Sequence, residues 1–310
     1  MSFFNSFYPF YYNDFCCIGG RCKHSCCIGW EIDIDPETYE KYQGISGNLG
    51  NRLKQNISTV DTPHFVLGES ERCPFLNKDN LCDLILEKGE DFLCQICSDH
   101  PRFRNFFTNC TEVGLGLCCE EAARLILSQK EPFSMPEKNA DLLTDEEVSF
   151  FRFRNDIFCK IGDRSLSLSE RIVSMCQGYG ISFPQKSHQQ WAEIFLSLEH
   201  LDDTWISMLK SLQQADFFPS LDDVWQVPLE QLFSYFIYRH LAGGLEDGCY
   251  GERILFAVLA VHMVSALLSL QMKEKGTVSF ADFIELVRLY SSEIEYSEDN
   301  TDVLLNVLEA

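Results

Sequence analysis

The stretch Phe15-Cys-Cys-Ile-Gly-Gly-Arg-Cys-Lys-His-Ser-Cys-Cys-Ile-Gly-Trp30 is the most unusual part of the chain, because it holds five cysteines within a dozen residues. A second series of cysteines follows between Cys73 and Cys119, and twelve of the fifteen cysteines lie in residues 1–119. Because the clustering is local, we expect these thiols to act together. The bonds that these thiols make decide how this part of the chain folds.

The length and the N-terminal sequence indicate a cytoplasmic protein. A chain of 310 residues is long enough to build a hydrophobic core without disulfide staples. Residues 1–10 have no basic segment, no aliphatic segment and no small-residue cleavage site, so we expect no signal peptide. In a reducing compartment, closely spaced cysteines are more often ligands of a metal or cluster than disulfides.

The charge of the chain is strongly acidic. The formal net charge of −22 argues against a nucleic-acid partner, because phosphate binding needs a basic surface. Residues 131–310 contain 29 of the 47 acidic side chains. A solvated surface that keeps the protein soluble explains this excess, and attraction of a lysine-rich substrate is the alternative.

The first 130 residues predict few and short elements. The alternating Glu31–Asp35 indicates a short strand, and Asp35 followed by a proline predicts a helix over Pro36–Tyr42. A short helix is expected over residues 52–56, a brief strand over residues 64–67 and a longer helix over Glu120–Gln129.

The remainder of the chain predicts helices. Three capping boxes precede apolar stretches of helical period: Thr144–Glu147, Ser167–Glu170 and Ser187–Gln190. We therefore predict a mainly α protein in which a loop-rich cysteine-cluster domain, residues 1–130, is held by metal or cluster ligands. A linker at residues 131–143 joins it to an all-helical domain at residues 144–310.

The segment Ile254–Met272 contains no fully charged side chain. Its length is sufficient for a membrane span. It is alone, it includes polar residues, and its acidic flanks lack cationic anchors, so we predict no membrane span but a central buried helix. His262, within it, is expected to be a core histidine with satisfied hydrogen bonds.

The spacing of the cysteines excludes several familiar patterns. Only Cys94-x2-Cys97 has the form of a zinc knuckle, so an ordinary zinc ribbon is not matched. Cys22-x3-Cys26-Cys27 fits neither the ferredoxin spacing nor the loop of radical enzymes that cleave S-adenosylmethionine. Adjacent side chains diverge on helices and strands, so the pair Cys26-Cys27 favours two centres, or two irons of one cluster, over one mononuclear ion.

Several motifs resemble those of a known family. They are Cys17-x4-Cys22-x3-Cys26-Cys27 followed by Trp30, Cys73-Pro-Phe-Leu, Leu81-Cys82, Cys97 with Pro101-Arg102 four residues on, and Cys119-Glu-Glu-Ala-Ala-Arg-Leu. In order and spacing they resemble the flagellin lysine-N-methylases, which sit within a wider bacterial group of zinc- or iron-chelating cysteine-cluster proteins. The resemblance covers about the first 130 residues, and the helical part offers no motif.

The resemblance implies a set of metal ligands: Cys17, Cys22, Cys26, Cys27, Cys73, Cys82, Cys97 and Cys119. Eight thiols suffice for two four-coordinate centres, or for one [4Fe–4S] cluster with other cysteines in reserve, and zinc is the alternative metal. Cys16, Cys94, Cys110 and Cys118 are interpreted as additional cysteines. The family tends to have proline after the last cysteine, whereas this chain has Glu120.

The resemblance also implies an activity, the transfer of methyl groups from S-adenosylmethionine to lysine side chains of flagellin. Methyl transfer requires a neutral lysine amine aligned with the sulfonium methyl group. The sequence assigns neither the catalytic residues nor the donor site. Glu112-Val-Gly-Leu-Gly-Leu begins like a donor-binding loop but lacks its third glycine and the following βαβ pattern, so we do not assign it that role.

A second class of function explains the cysteines equally well. A non-enzymatic iron–sulfur or zinc module, with a structural or redox role, needs the same thiols and no donor pocket. Nearby aromatic side chains do not decide between the two classes, because aromatic residues make up 13% of the chain and core packing accounts for them.

Overall fold

The computed structural model describes residues 5–216 and 223–309. About 60% of the chain is helical, which confirms the predicted mainly α fold class. The chain forms two compact units, which we name the cysteine-rich unit (residues 16–103 and 119–121) and the helical unit (residues 1–15, 104–118 and 122–310). The predicted division into domains stays a prediction, because a compact unit need not fold independently. The predicted segments are the domains 1–130 and 144–310 and the linker 131–143.

The described residues contain fourteen α-helices and five strands. The helices are α1 Pro36–Gln43, α2 Gly47–Asn56, α3 Asp83–Lys88, α4 Gln95–Asp99, α5 Glu120–Leu127, α6 Asp145–Gly162, α7 Leu168–Tyr179, α8 His188–Leu196, α9 Asp203–Gln214, α10 Gln226–His240, α11 Gly244–Asp247, α12 Tyr250–Lys275, α13 Phe280–Ile294 and α14 Glu298–Leu308. The strands are β1 Ser6–Phe7, β2 Ile57–Ser58, β3 His64–Phe65, β4 Arg102–Phe106 and β5 Thr111–Leu115.

The start of the cysteine-rich unit follows the local sequence signals. The predicted first helix is confirmed as α1, where the Asp35 side chain accepts a hydrogen bond of 2.9 Å from the Thr38 N–H. The predicted strand over Glu31–Asp35 is wrong, since only an isolated bridge from Asp33 to His64 forms. The alternation of polar and apolar residues still predicts which side chains are buried, because Ile32 and Ile34 are both 1% exposed. The partner strand β3 is only two residues long, so it cannot extend the pairing.

Two further short elements differ in length from the prediction. The helix expected over residues 52–56 begins earlier, at Gly47, and the strand expected over residues 64–67 ends at Phe65. The helix expected over Glu120–Gln129 is confirmed as α5, which ends at Leu127.

A three-stranded sheet with the order β1-β5-β4 connects distant parts of the sequence. β1 pairs with β5 in parallel, and Ser6 and Phe7 stand opposite Thr111 and Glu112. Every residue of β5 is buried. Residues 112–115 of the segment that begins like a donor-binding loop therefore lie in the central strand.

The predicted helices of the C-terminal half are confirmed for the described residues from 144 onward. All three capping boxes form, and a fourth forms at Ser279 with Asp282. The most extensive helix–helix contacts in the described chain are those of α10 with α12 and of α8 with α9. Large aromatic side chains such as Trp205, Phe236 and Tyr290 are completely buried between these helices.

The predicted central helix is confirmed as α12. It is the one helix of the described chain that is long and apolar enough to cross a membrane, and 83% of its most apolar window is buried within the protein. The expectation for His262 is wrong at one atom, because its Nε2 has no hydrogen-bond partner among the described residues. The ring lies beside Phe183, with 5.6 Å between ring centroids.

Replacing Thr144 by alanine should lower the free energy of unfolding by about 1 kcal/mol, the usual value of an N-cap side chain. The Thr144 hydroxyl accepts from the Glu147 N–H at 3.2 Å, and the Glu147 carboxylate accepts from the Thr144 N–H at 2.8 Å. Urea denaturation should show the loss. Ser149→Ala, at an exposed position of the same helix, is the control and should leave the midpoint nearly unchanged.

Candidate metal centre

The first group of thiols, which we name the loop group, consists of Cys17, Cys22, Cys26 and Cys119. The loop that carries Cys22 is fastened to the start of α5, because the Lys23 N–H donates to Glu120 Oε2 at 2.9 Å. The Sγ of Cys22 lies 3.8 Å from the same oxygen, next in sequence to Cys119. Glu120, which departs from the family pattern, therefore holds the two segments of this group together.

Electrostatic interactions connect the members of the loop group. The pKa of Cys22 is raised to about 11, mainly by burial and also by Glu120, Cys119 and Cys17, against a backbone hydrogen bond with His24. The pKa of Cys26 is raised by a hydrogen bond with Cys27 and by Cys17 and Cys119. Cys17 and Cys119 therefore act on the pKa of both Cys22 and Cys26. Cys17 and Cys26 are exposed to solvent.

The second group, which we name the core group, consists of Cys27, Cys73, Cys82, Cys94 and Cys97. All five belong to one hydrophobic cluster with Ile32, Tyr42, Phe65 and Phe75. Cys94 is 0% exposed, and its Sγ lies 3.4 Å from that of Cys97. A backbone hydrogen bond of 2.9 Å from the Cys73 N–H to the Cys27 carbonyl connects the two segments that bring these thiols together.

Burial keeps most core thiols protonated. It raises the pKa of Cys73 to about 12 and also raises that of Cys82. Within the close pair, the mutual hydrogen bond raises the pKa of Cys97 and lowers that of Cys94. Thiolates are the metal-binding form, so a metal ion would have to displace protons from this group.

Cys27 differs from Cys73, Cys82 and Cys97, whose pKa values are raised. Its pKa is lowered to about 7, first by the hydrogen bond from Cys26 and then by Ser25 and Arg72, against the opposing effect of burial. The two adjacent thiols therefore change each other's pKa in opposite directions. Cys27 packs against the hydrophobic cluster and Cys26 does not, so the loop group and the core group meet at this pair.

The thiols fit a metal centre by their chemistry. None of the cysteines is in a disulfide bond in the described chain, and soft thiolates are the ligands that zinc and iron–sulfur clusters prefer. Residues 5–216 and 223–309 contain no group of three potential ligands already spaced to hold a metal ion. Coordination therefore requires the thiols of each group to move closer together.

The structure brings every sequence-predicted ligand into one of the two groups. The ligand set itself stays a prediction. Cys94, interpreted from the sequence as additional, is fully buried within the core group, and its one signal was the Cys94-x2-Cys97 spacing. Cys16 is exposed, whereas Cys110 and Cys118 belong to the helical unit.

Cavities of different character lie in the described part of the helical unit. One has a volume of about 630 Å³ and is lined by uncharged side chains that include Phe183, Val261 and His262. The other, of about 360 Å³, is lined by Arg104, Arg239, His240 and Arg253 among others. Arg239 Nε lies 3.4 Å from Glu295 Oε1, so its charge is already paired. His240 Nε2 lies 2.7 Å from the same oxygen, and burial lowers the pKa of this ring.

The fold and the site thus define a mainly helical protein with a thiol-rich unit. Residues 185–310 match the model of the FliB lysine N-methylase C-terminal domain family. The resemblance to the flagellin lysine-N-methylases is therefore confirmed, in the part of the chain that offered no motif. No solved structure matches the chain.

Curated relatives agree with the family match. The chain is 28% identical over 225 residues to lysine-N-methylases of Salmonella choleraesuis and Salmonella typhimurium, which covers 66% of this chain and 53% of each relative. It is 29% identical over 139 residues to the flagellar biosynthetic protein FliU of Salmonella muenchen, or 43% of this chain and 82% of that relative. The chain spans about half the length of the two lysine-N-methylases.

Proposed function

We propose that the protein is a cytoplasmic lysine N-methyltransferase that transfers methyl groups from S-adenosylmethionine to lysine side chains of flagellin. The similarity to lysine-N-methylases over 66% of the chain is the observation that carries the proposal. The flagellar name of the FliU relative supports a flagellar substrate. The acidic surface of the chain, with its net charge of −22, favours the approach of a lysine-rich protein.

We further propose a [4Fe–4S] cluster on the thiols of the cysteine-rich unit, with zinc as the alternative. A cluster with an open coordination position supplies a site for the amino and carboxylate groups of the donor. The chain's own part is to hold thiolates in place. Cys27 and Cys94, whose pKa values are lowered, are the thiols most easily deprotonated in the core group. Arg72 stabilises the Cys27 thiolate, and Glu120 fixes the loop that carries Cys22.

A non-enzymatic iron–sulfur or zinc module is the second candidate. The observation that favours it is the burial of Cys73 and Cys94 within a hydrophobic cluster, at 6% and 0% exposure. Ligands buried in this way are typical of centres that stabilise a fold.

Labelled methyl transfer separates the two candidates. Protein purified without oxygen and mixed with flagellin and methyl-labelled S-adenosylmethionine is expected to place label on flagellin lysines. The same preparation should absorb broadly in the visible range and contain iron and acid-labile sulfide. Cys97→Ser should lose the absorption and the methyl transfer, whereas Cys16→Ser, an exposed cysteine outside both groups, should keep both.

The outcomes against the proposal are distinct. Metal-replete protein that neither binds the donor nor labels flagellin supports the module instead. A colourless zinc protein that still methylates flagellin would support the methyltransferase activity and exclude the iron–sulfur cluster.

A further inference from the structure

We propose that His240 accepts the proton of the substrate lysine and that Glu295 positions its imidazole for this step. Both residues belong to the helical unit, and His240 lines the cavity of about 360 Å³ described above. The inference rests on the proposed function, because it assigns one step of the methyl transfer. It names the cavity that binds the lysine side chain and the group that removes the proton from it.

A buried carboxylate determines which nitrogen of His240 can accept a proton. The Nε2 atom of His240 lies 2.7 Å from Oε1 of Glu295, whose side chain is 0% exposed. Because a carboxylate accepts hydrogen bonds, the proton of the neutral ring is held on Nε2, and the lone pair is left on Nδ1. Glu295 also stabilises the imidazolium that forms when Nδ1 takes up a proton. The two side chains therefore have the arrangement of a general base and its orienting partner.

Other side chains fix the position of this pair. Arg239 Nε lies 3.4 Å from Oε1 of Glu295, and the Tyr235 hydroxyl lies 3.3 Å from Oε2. Arg239 also donates to the Tyr235 hydroxyl, at 2.7 Å. The rings of Phe236 and Phe256 lie 5.4 and 5.2 Å from the imidazole, between ring centroids. The imidazole is therefore held in one orientation, as a positioned proton acceptor requires.

The imidazole is neutral near pH 7 and so can accept a proton. Burial lowers the pKa of His240, as do the nearby charges of Arg239 and Arg253. The hydrogen bond and the charge of Glu295 act in the opposite direction. A lysine ammonium that leaves water for the cavity also has a lowered pKa, which makes the transfer of its proton to the imidazole easier.

The charges that line the cavity favour the entry of a cation. Five charged side chains line it in the described part of the chain: Arg104, Arg239, Arg253, Glu246 and Asp302. Two of the arginines are paired with carboxylates outside this lining, Arg239 with Glu295 at 3.4 Å and Arg253 with Asp247 at 2.8 Å. The remaining lining charges are one guanidinium group and two carboxylates. One added ammonium group therefore balances them.

The size and the walls of the cavity suit a single lysine side chain. Ligand pockets have volumes of roughly 300–1,000 Å³, so this cavity of about 360 Å³ is at the small end of the range. Phe106 and Phe256 place aromatic rings in its lining, and aromatic faces attract ammonium groups. Glu246 and Asp302 are exposed to solvent, where their charges attract a lysine before it enters.

The proton and the electrons balance with the proposed donor. The lysine ammonium gives its proton to Nδ1 of His240, which leaves a lone pair on the amine nitrogen. This pair forms the new nitrogen–carbon bond to the methyl group of S-adenosylmethionine. The carbon–sulfur bond breaks at the same time, and its electron pair stays on sulfur, so the sulfonium becomes a thioether and the lysine a methylammonium. The imidazolium then returns its proton to water.

Replacing His240 by glutamine in the full chain tests the assignment. The glutamine amide can still donate to Glu295, but it cannot take up the lysine proton. General bases contribute about 100- to 10,000-fold, so kcat for methyl transfer to flagellin should fall by a factor in this range near pH 7. The deficit should shrink as the pH rises towards about 10.4, the ordinary pKa of lysine, because water then removes the proton. A merely structural role of His240 predicts a deficit that does not change with pH.

His188→Gln is the matched control for this variant. His188 is a buried histidine of the same unit, but its Nε2 lies 3.1 Å from the Ala215 carbonyl oxygen, and it is not in the lining of the cavity. Its kcat and pH profile should remain those of the wild type. Glu295→Gln tests the positioning residue. The acid limb of kcat/KM should move to lower pH, because the imidazolium loses its counter-charge.

An exposed position decides the question if the buried variants fail to fold. Asp302→Asn removes a carboxylate from the lining and should raise KM for flagellin about two- to fivefold with kcat unchanged, the usual effect of an exposed ion pair. Asp299→Asn makes the same change at an exposed position of α14 that does not line the cavity. It should leave KM unchanged.

The wild-type assay separates a failure of this inference from a failure of the proposed function. If the wild type labels flagellin, three results overturn the inference alone: an unchanged kcat in His240→Gln, a deficit independent of pH, or equal KM values in Asp302→Asn and Asp299→Asn. A wild type that transfers no methyl group to flagellin rejects the proposed function, and the inference with it.

Discussion

Replacing Glu112 by glutamine is expected to lower the free energy of unfolding of the helical unit by about 3–5 kcal/mol, because it leaves buried cations without their counter-charge. Glu112 is 0% exposed and binds Arg154 through two hydrogen bonds of 2.7 and 2.6 Å. Lys138 adds a third contact at 2.5 Å. Urea denaturation followed by circular dichroism should show the loss as a large shift of the midpoint.

Asp156→Asn is the matched control, since it makes the same carboxylate-to-amide change in an ion pair whose side chains are 48% and 40% exposed. Exposed pairs contribute little, about 0–1 kcal/mol, so the midpoint should barely move. A double variant, Glu112→Leu with Arg154→Met, should recover part of the stability, because both partners become apolar together. An equal effect of Glu112→Gln and Asp156→Asn would contradict the prediction.

The pH dependence should follow from the same carboxylate. Burial raises the pKa of Glu112, but Arg154 and Lys138 outweigh it, so the pKa in the folded protein lies below its usual value. The unfolded chain therefore binds the proton first, and the stability from Glu112 is complete above its usual pKa and is lost as the pH falls through the folded one. Glu112→Gln should show a shallower loss of stability on acidification.

Replacing Phe236 by alanine should cost about 3–5 kcal/mol, the usual loss when a large aromatic side chain leaves a cavity. Phe236 is 0% exposed and lies within 6.0 Å, between ring centroids, of Tyr235, His240, Phe256 and Tyr290. Its removal opens the contact between α10 and α12. Thermal and urea unfolding should both record the loss.

Two controls make the Phe236 prediction specific. Phe236→Leu keeps most of the buried volume and should cost less than half as much, about 1–1.5 kcal/mol. Phe106→Ala removes a phenylalanine that is 66% exposed and should change the stability by about 0.5 kcal/mol or less. A similar loss at positions 236 and 106 would show that the cavity is not the cause.

The sequence predicted the structural elements that depend only on residues close to one another in the chain. The caps at Thr144, Ser167 and Ser187 and the buried helix α12 could be read directly, because each depends on residues within a few positions of one another. The short strand expected at Glu31–Asp35 failed, because strand formation depends on the length of a partner that lies elsewhere in the chain.

Contacts between distant segments could not be predicted. The sequence around Ser6 does not indicate that this residue pairs with Thr111. The sequence around Glu112 likewise does not indicate that its carboxylate binds Arg154. The same limit applied to the candidate site. The motifs selected the cysteines, but only packing showed that Cys27 and Cys26 belong to different groups and that Cys94 lies with Cys97.

The parallel pairing of β1 with β5 has a kinetic consequence. Ser6 and Thr111 can meet only after the chain between them has closed a loop of about 100 residues, and the entropy cost of closure rises with loop length. Contacts that compact the intervening segment shorten this search. With metal bound to the cysteine-rich segment as proposed, we therefore expect the helical unit to refold faster than it does without metal.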